Sequence, residues 1–305
     1  MSRPSAPDRS SNTSSVGGVR VRIFAEETRL LQELILEHCG VSLGGDAGFL
    51  FERRLGPRLD ALALGSFLDY FHYLSYDLGG PAELEECVER ITTHETYFFR
   101  EQFQLDAFSR EIVPQLRAAM TGSSSSASTA TSRRQGPSVW SAGCSTGEEA
   151  YTIAMLLDDA ARGAPAGQVV GSDISRKVLA TAQQAVYGQA SFRTTSDELR
   201  EARFEPAAAG LWRVAPDVRR MCSFVHLNLM DIARFAALGR QDVIFCRNVL
   251  MYLSSQARHR IVEGFYDALV PGGFLLLGHS ESLLNVTTRF DLVHLSGDLV
   301  YRRPL

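Results

Sequence analysis

Lysine is almost absent from this chain: Lys177 is the single one among 31 basic residues, and 35 acidic residues leave a formal charge of −4. Proteins that bind polyanions usually carry bulk basicity, so nothing global points to nucleic acid. Cysteine is sparse as well. Cys39, Cys87, Cys144, Cys222 and Cys246 are odd in number, scattered, and form no C-x-x-C pair. That pattern argues against a disulfide framework and against a zinc site, and it suits a reducing compartment. No run of about twenty apolar residues occurs, and the first sixteen residues lack an apolar signal core. The expectation is a cytoplasmic protein with no direct membrane insertion. Of the 305 residues, 45% are hydrophobic and only 22% charged, so a real core can be buried and wholesale disorder is excluded.

Composition then divides the chain. Residues 1–20 are rich in Ser, Pro, Asp and Asn and read as a disordered tail. From 21 to 120 the periodicity is helical: Phe24, Leu30, Leu31, Leu34 and Ile35 recur at helix spacing, and Leu55, Leu59 and Leu62 do so after a predicted break at Gly56 and Pro57. A Ser-rich stretch, 121–137, reads as a linker. Beyond it, over 138–305, short apolar runs alternate with amphipathic helices, which predicts an α/β domain with a mainly parallel sheet covered on both faces. Two terminal runs flanking Ser296, Gly297 and Asp298 predict a closing β-hairpin, and the less regular piece at 190–226 reads as an inserted subdomain.

Chemistry concentrates in four places. The run from Val139 to Glu149 is strand, tight glycine turn, then helix start, and its two glycines would let the backbone approach a ligand at the carboxyl end of the first strand. It is not G-x-G-x-x-G, and Glu148 and Glu149 sit where a pyrophosphate would want bare N–H groups, so a cationic ligand is favoured. On their own, such glutamates more often just offset the helix dipole. Asp173 stands at the tip of the next strand, where a carboxylate can accept the two hydroxyls of a ribose; capping the following helix is its bland alternative, for which Ser175 competes. Arg247 and Asn248 end a third strand, with Tyr252 either facing the cleft or packing as core. The stretch at 92–100, dense in polar and aromatic side chains around His94, is the fourth, with interface packing as its alternative. Ribose, positive charge and no phosphate together fit S-adenosylmethionine better than a nicotinamide or ATP.

At these segments the chain resembles the chemotaxis-receptor protein-glutamate O-methyltransferases, the CheR family. The motifs are T-T-x-x-T-x-F-F-R at 92–100, W-S-A-G-C-S-T-G-E-E at 140–149, Asp173, Asn228 with Leu229, F-C-R-N-V at 245–249, and L-x-P-G-G-F followed by G-H-S-E ending at Glu281. The resemblance implies a class I S-adenosylmethionine-dependent methyltransferase sheet with an inserted small β-subdomain, preceded by an all-helical N-terminal domain. It also implies methyl transfer from S-adenosylmethionine to glutamate carboxylates on the cytoplasmic helices of a methyl-accepting chemoreceptor, leaving S-adenosylhomocysteine. Carried over by position, donor contacts fall on His94, Thr96, Arg100, Glu148, Asp173, Asn228, Leu229, Arg247 and Asn248, and Arg100 and Tyr252 lie nearest the reacting groups. The family often has Asn at the position of His94.

A carboxylate is ionised near neutral pH, so transfer to it requires no general base, only alignment and desolvation of two opposite charges. Two rival readings keep the same fold: a regulator that binds the donor without turnover, and a methyltransferase acting on another substrate. For docking, Arg53, Arg54 and Arg58 predict a basic patch that would steer an acidic receptor helix. A solvated basic face is the plain alternative, and capture of a receptor tail by the inserted subdomain is the competing route.

Overall fold

The computed structural model describes residues 21–122, 136–161 and 163–305. The expected tail and most of the expected linker lie outside the described residues. Four helices open the chain: α1 (Ala25–Cys39), α2 (Ala47–Leu62), α3 (Phe67–Tyr76) and α4 (Gly80–Ile91). Glu27, buried near the start of α1, accepts the N–H of Phe24 at 2.7 Å and that of Leu68 at 3.0 Å, so one carboxylate satisfies backbone donors at the starts of two helices. Leu31, Ile35, Phe51, Leu55, Leu59, Phe67 and Val88 close the core between them. Gly40 ends α1 in the left-handed region, φ 75°, and a Cβ there would stand 2.6 Å from Ala257 Cβ, so glycine also lets the following domain approach.

Two expectations for this region need correction. Helix α2 runs unbroken through Pro57, because Pro57 and Arg53 both face solvent and the carbonyl that loses its donor can be hydrated. The three arginines do not form one outward patch. Arg58 Nε donates to Glu83 at 2.8 Å, and buried Glu83 also accepts from the Tyr70 hydroxyl at 2.8 Å. Arg54 donates to the Arg90 and Thr92 carbonyls at 2.9 and 3.1 Å, closing the end of α4. Arg53 is the one of the three classed as exposed.

The helical domain is also shorter than its periodicity implied. Helices α5 (Gln102–Ala107) and α6 (Val113–Gly122), joined by a π-helical turn at Phe108–Ile112, pack on the sheet through Leu105, Phe108, Ile112 and Leu116. Phe98 joins that same core. The α/β part follows as β1 (Ser138–Ala142), α7 (Glu148–Ala161), β2 (Gln168–Asp173), α8 (Arg176–Gln184), β3 (Val186–Tyr187), α9 (Asp197–Arg203), β4 (Phe204–Pro206), β5 (Trp212–Val214), α10 (Pro216–Met221), β6 (Cys222–His226), β7 (Gln241–Cys246), α11 (Ser255–Ala268), β8 (Leu269–Leu277), β9 (Asp291–Leu295) and β10 (Asp298–Arg302).

Seven strands form one sheet in the order β6-β2-β1-β7-β8-β10-β9. The first five are parallel, and the terminal hairpin adds antiparallel with β10 against β8. Side chains alternate across it. Val139, Val243, Phe245, Phe274 and Leu276 point to the α6–α7 side, while Trp140, Ile244, Cys246, Leu275 and Leu277 point to α11. A separate three-stranded sheet, β3-β5-β4, is the inserted subdomain. It begins earlier than expected, at Val186, and Cys222–His226 belongs to the main sheet, paired with Val169 to Asp173 of β2. The turn at Pro271 and Gly272 lies within β8, where the pairing with β7 jumps from Gln241↔Leu269 to Val243↔Phe274. Among the described residues no helix is long and apolar enough to cross a membrane.

Candidate active site

The sheet order reverses between β1 and β7, and at the carboxyl ends of these strands an open α/β sheet leaves a crevice. Here it is a cleft of about 180 Å³, closed on one side by Val41, Val88, Ile91 and Thr92 of the helical domain. The two domains are stitched beside it: Ser42 N–H donates to the Tyr252 carbonyl and Ser254 N–H to the Gly40 carbonyl, both at 2.9 Å. Backbone strain gathers at the same place. Among the described residues seven non-glycines have positive φ, and Phe99, Glu101, Ser145 and Asn248 are four of them. The surroundings hold each in place; Phe99 N–H, for instance, donates to Thr152 Oγ1 at 3.2 Å.

Asp173, 7% exposed, lines the cleft from the end of β2. Ser175 caps α8, its Oγ accepting the Val178 N–H, which leaves Asp173 free of the usual capping role. Each Asp173 oxygen accepts one backbone N–H, Ser145 at 2.9 Å and Ser175 at 3.0 Å, with lone pairs left over for a diol. Burial pushes its carboxyl above the ordinary value, against the pull of these N–H groups and of nearby His94.

The two glutamates at the start of α7 part company. Glu148, 2% exposed, turns away toward Ser191, whose hydroxyl donates to it at 2.8 Å while that of Thr146 in the glycine turn donates at 2.6 Å, and burial raises its pKa. It does not line the cleft, which corrects its expected donor contact. Glu149, one residue and roughly 100° further round the helix, does line it. There it accepts from Ser141 Oγ at 2.6 Å and from Arg247 Nε at 2.7 Å. Arg247, 6% exposed, is itself spent on Glu149, on Gln104 Oε1 at 3.2 Å and on the Arg100 carbonyl at 2.9 Å. It therefore braces the floor of the cleft. Gln104 extends the chain of bonds to the Leu277 carbonyl and Asp298. The glycine turn has a second reason beside the expected one: Gly143 lines the cleft, and a Cβ on it would stand 2.5 Å from Val249, while one on Gly147 would stand 2.7 Å from Ala182, so protein neighbours also require them.

The remaining candidates, Asn228, Leu229, His94, Thr96, Arg100, Asn248 and Tyr252, all line the cleft. Asn228 is partly committed, donating to the His38 carbonyl at 2.7 Å and accepting the Met230 N–H at 3.0 Å. His94 Nε2 pairs with Thr92 Oγ1 at 2.9 Å, and its carbonyl accepts from Ser145 Oγ at 3.0 Å. Arg100 donates to the Glu95 carbonyl at 2.9 Å and has no carboxylate partner among the described residues. Tyr252 is 46% exposed, in a 3-10 turn after β7, and its hydroxyl is unpartnered among the described residues. Sequence reasoning missed Glu149 and Gln104 as site residues. Helical phase separates Glu149 from its neighbour once the helix start is known, whereas nothing local marks Gln104.

A cleft without a bare helix N-terminus suits a nucleoside lacking phosphate: Asp173 offers acceptors for ribose, and Ile174, Leu227 and Leu229 an apolar wall. Residues 94–297 match the family described as CheR methyltransferase, SAM binding domain, and residues 26–92 match CheR methyltransferase, all-alpha domain. Chemotaxis protein methyltransferase 1 of Pseudomonas aeruginosa is 31% identical over 287 residues, covering 92% of this chain and 95% of that protein. Chemotaxis protein methyltransferase 2 of the same organism is 32% identical, covering 90% and 92%, and the chemotaxis protein methyltransferase of Borreliella burgdorferi is 30% identical, covering 87% and 91%. The boundary between the two matched domains falls where α4 ends and the cleft-lining segment begins, and with both domains present the chain belongs to the CheR family of S-adenosylmethionine-dependent methyltransferases.

Proposed function

We propose that this methyltransferase esterifies glutamate side chains on the cytoplasmic helices of a chemoreceptor, working in the cytoplasm. The observation that carries the reading is Arg100: a guanidinium lining the cleft with no carboxylate partner among the described residues, in a site whose own acids, Glu95, Asp173 and Glu149, are already hydrogen-bonded by other groups. Such a cation receives a carboxylate, that of the acceptor or that of the donor's amino-acid end. Bound S-adenosylmethionine supplies an electrophilic methyl group on a sulfonium. Asp173 would hold its ribose, Leu229 and Ile174 would pack on its base, and His94 and Thr96 would lie along the rest of it. Arg100 holds the incoming carboxylate or the donor's carboxyl end, Tyr252 orients the attacking oxygen through its hydroxyl, and Arg247 with Glu149 keeps the floor rigid. A carboxylate needs no deprotonation, so alignment and exclusion of water are the protein's contribution.

Incubation with labelled S-adenosylmethionine and a chemoreceptor cytoplasmic fragment tests the proposal. The label should be released as methanol by mild base, since a carboxyl ester is alkali-labile. Label that survives alkali would place the methyl on nitrogen and overturn the reading.

Tyr252→Phe should lower kcat with donor affinity nearly unchanged, because only an unpartnered hydroxyl is removed. Arg100→Ala should lower kcat as well. The loss of one positioned donor where charge is reorganised costs about 3 kcal/mol, roughly a hundredfold in rate. Steady-state kinetics with wild-type turnover in both variants would reduce these residues to packing.

A further inference from the structure

The segment that carries Tyr252 leaves β7 through Asn248, whose φ of 59° is left-handed and strained for a residue with a side chain. What holds it there is one carboxylate from the turn after β8. Glu281 folds back over the turn after β8, its own N–H donating to the Gly278 carbonyl at 2.8 Å. Its Oε2 accepts the N–H of Asn248 at 2.7 Å and that of Gly278 at 2.8 Å, and its Oε1 accepts the N–H of Met251 at 3.0 Å. No cationic side chain pairs with Glu281 among the described residues, so three backbone donors are what compensate its charge. Charge-assisted bonds of this kind are about twice as strong as neutral ones. Gly278 is part of the same device: a Cβ there would stand 2.8 Å from Asn248 N and 2.9 Å from both Asn248 Nδ2 and Glu281 Oε2.

The Tyr252 hydroxyl has no partner of its own, so its position is inherited from the backbone between Asn248 and Met251, and that backbone is fixed from β8 by Glu281. We propose that Glu281 is a positioning residue for methyl transfer, acting through Tyr252. The inference rests on the reading of Tyr252 given above. It assigns the G-H-S-E turn a role mainly in the acceptor half of the reaction: the carboxylate also holds Asn248, a candidate donor contact, but makes no hydrogen bond to Asp173 or its loop.

Glu281→Gln keeps an oxygen for Asn248 and Gly278 and turns an NH2 against the Met251 N–H, which loosens the segment with little change in shape. The expected result, measured with a chemoreceptor cytoplasmic fragment as acceptor, is a kcat lower by on the order of ten- to a hundredfold, with a distinctly smaller change, about fivefold at most, in the dissociation constant for S-adenosylmethionine through Asn248. In a Tyr252→Phe background the same change should cost less than about twofold, because both act through one hydroxyl. Gly278→Ala attacks the turn from the other side and should behave alike, which covers the case of a poorly folding Glu281→Gln. Equal losses in the two backgrounds, or a parallel loss of donor affinity, would overturn the inference while leaving Tyr252 in place. Wild-type turnover by Tyr252→Phe alone would overturn the role of Tyr252, and this inference with it.

Discussion

Replacing Asp173 by Ala should weaken S-adenosylmethionine binding by about a hundredfold. The residue is buried at the strand tip with an acceptor left on each oxygen after Ser145 and Ser175 have donated. A hydrogen bond to a charged group is worth about 1.5–3 kcal/mol, so losing a ribose diol's pair costs around 3 kcal/mol, which is two decades in affinity. The two backbone N–H groups left behind cost stability as well, about 1–3 kcal/mol each if they stay dry, so thermal melts belong beside the calorimetry. Asp173→Asn, which keeps one oxygen, should lose roughly tenfold, and an unchanged affinity in both variants would remove Asp173 from the site. A pH dependence follows too. Burial raises the Asp173 pKa, and the diol prefers the ionised form, so donor affinity should fall on acidification and begin to do so at a higher pH than an ordinary carboxylate would dictate. In Asp173→Asn that component should vanish.

Arg247→Leu should destabilise the fold by about 3 kcal/mol, because it strands Glu149, a carboxylate whose side chain is 11% exposed. Glu149 would keep the Ser141 hydroxyl at 2.6 Å and lose the guanidinium at 2.7 Å, while Gln104 Oε1 and the Arg100 carbonyl would lose donors at 3.2 and 2.9 Å. Adding Glu149→Gln removes the uncompensated charge and should restore a large part of the loss, since a neutral amide still accepts from Ser141. Urea unfolding reads both through the shift in midpoint at constant slope. A single variant within about 1 kcal/mol of wild type would mean that water reaches Glu149 and that the brace is not structural.

Much of the architecture was legible before any coordinates, because its causes are local. Strand alternation is a property of adjacent residues, and the opposite burial of Val139 and Trp140, or of Ile244 and Phe245, follows from period two alone. The Ser254 cap of α11, the Ser175 cap of α8 and the left-handed Gly297 in the terminal hairpin are likewise local chemistry. Local rules failed where a distant partner had the larger free energy. Helix α2 passes through Pro57 because solvent can satisfy the orphaned carbonyl, and Arg58 turns inward because buried Glu83, 25 positions away, needs a cation. The residues at 222–226, read as part of an insertion, join the main sheet because β2, some fifty residues earlier, has an open edge there.

The candidate site divides along the same line. By itself the sequence placed the glycine turn, Asp173 and Arg247 at strand ends, where they line the cleft, since strand ends and turn residues are written in short segments. Only the tertiary structure decided that Glu149 rather than Glu148 faces the cleft, that Arg247 is consumed as a brace, and that Glu281 holds the Tyr252 segment. Those outcomes depend on which buried donors and acceptors meet across the sheet, and each buried polar group must find its partner wherever the fold brings one, however far away in the chain.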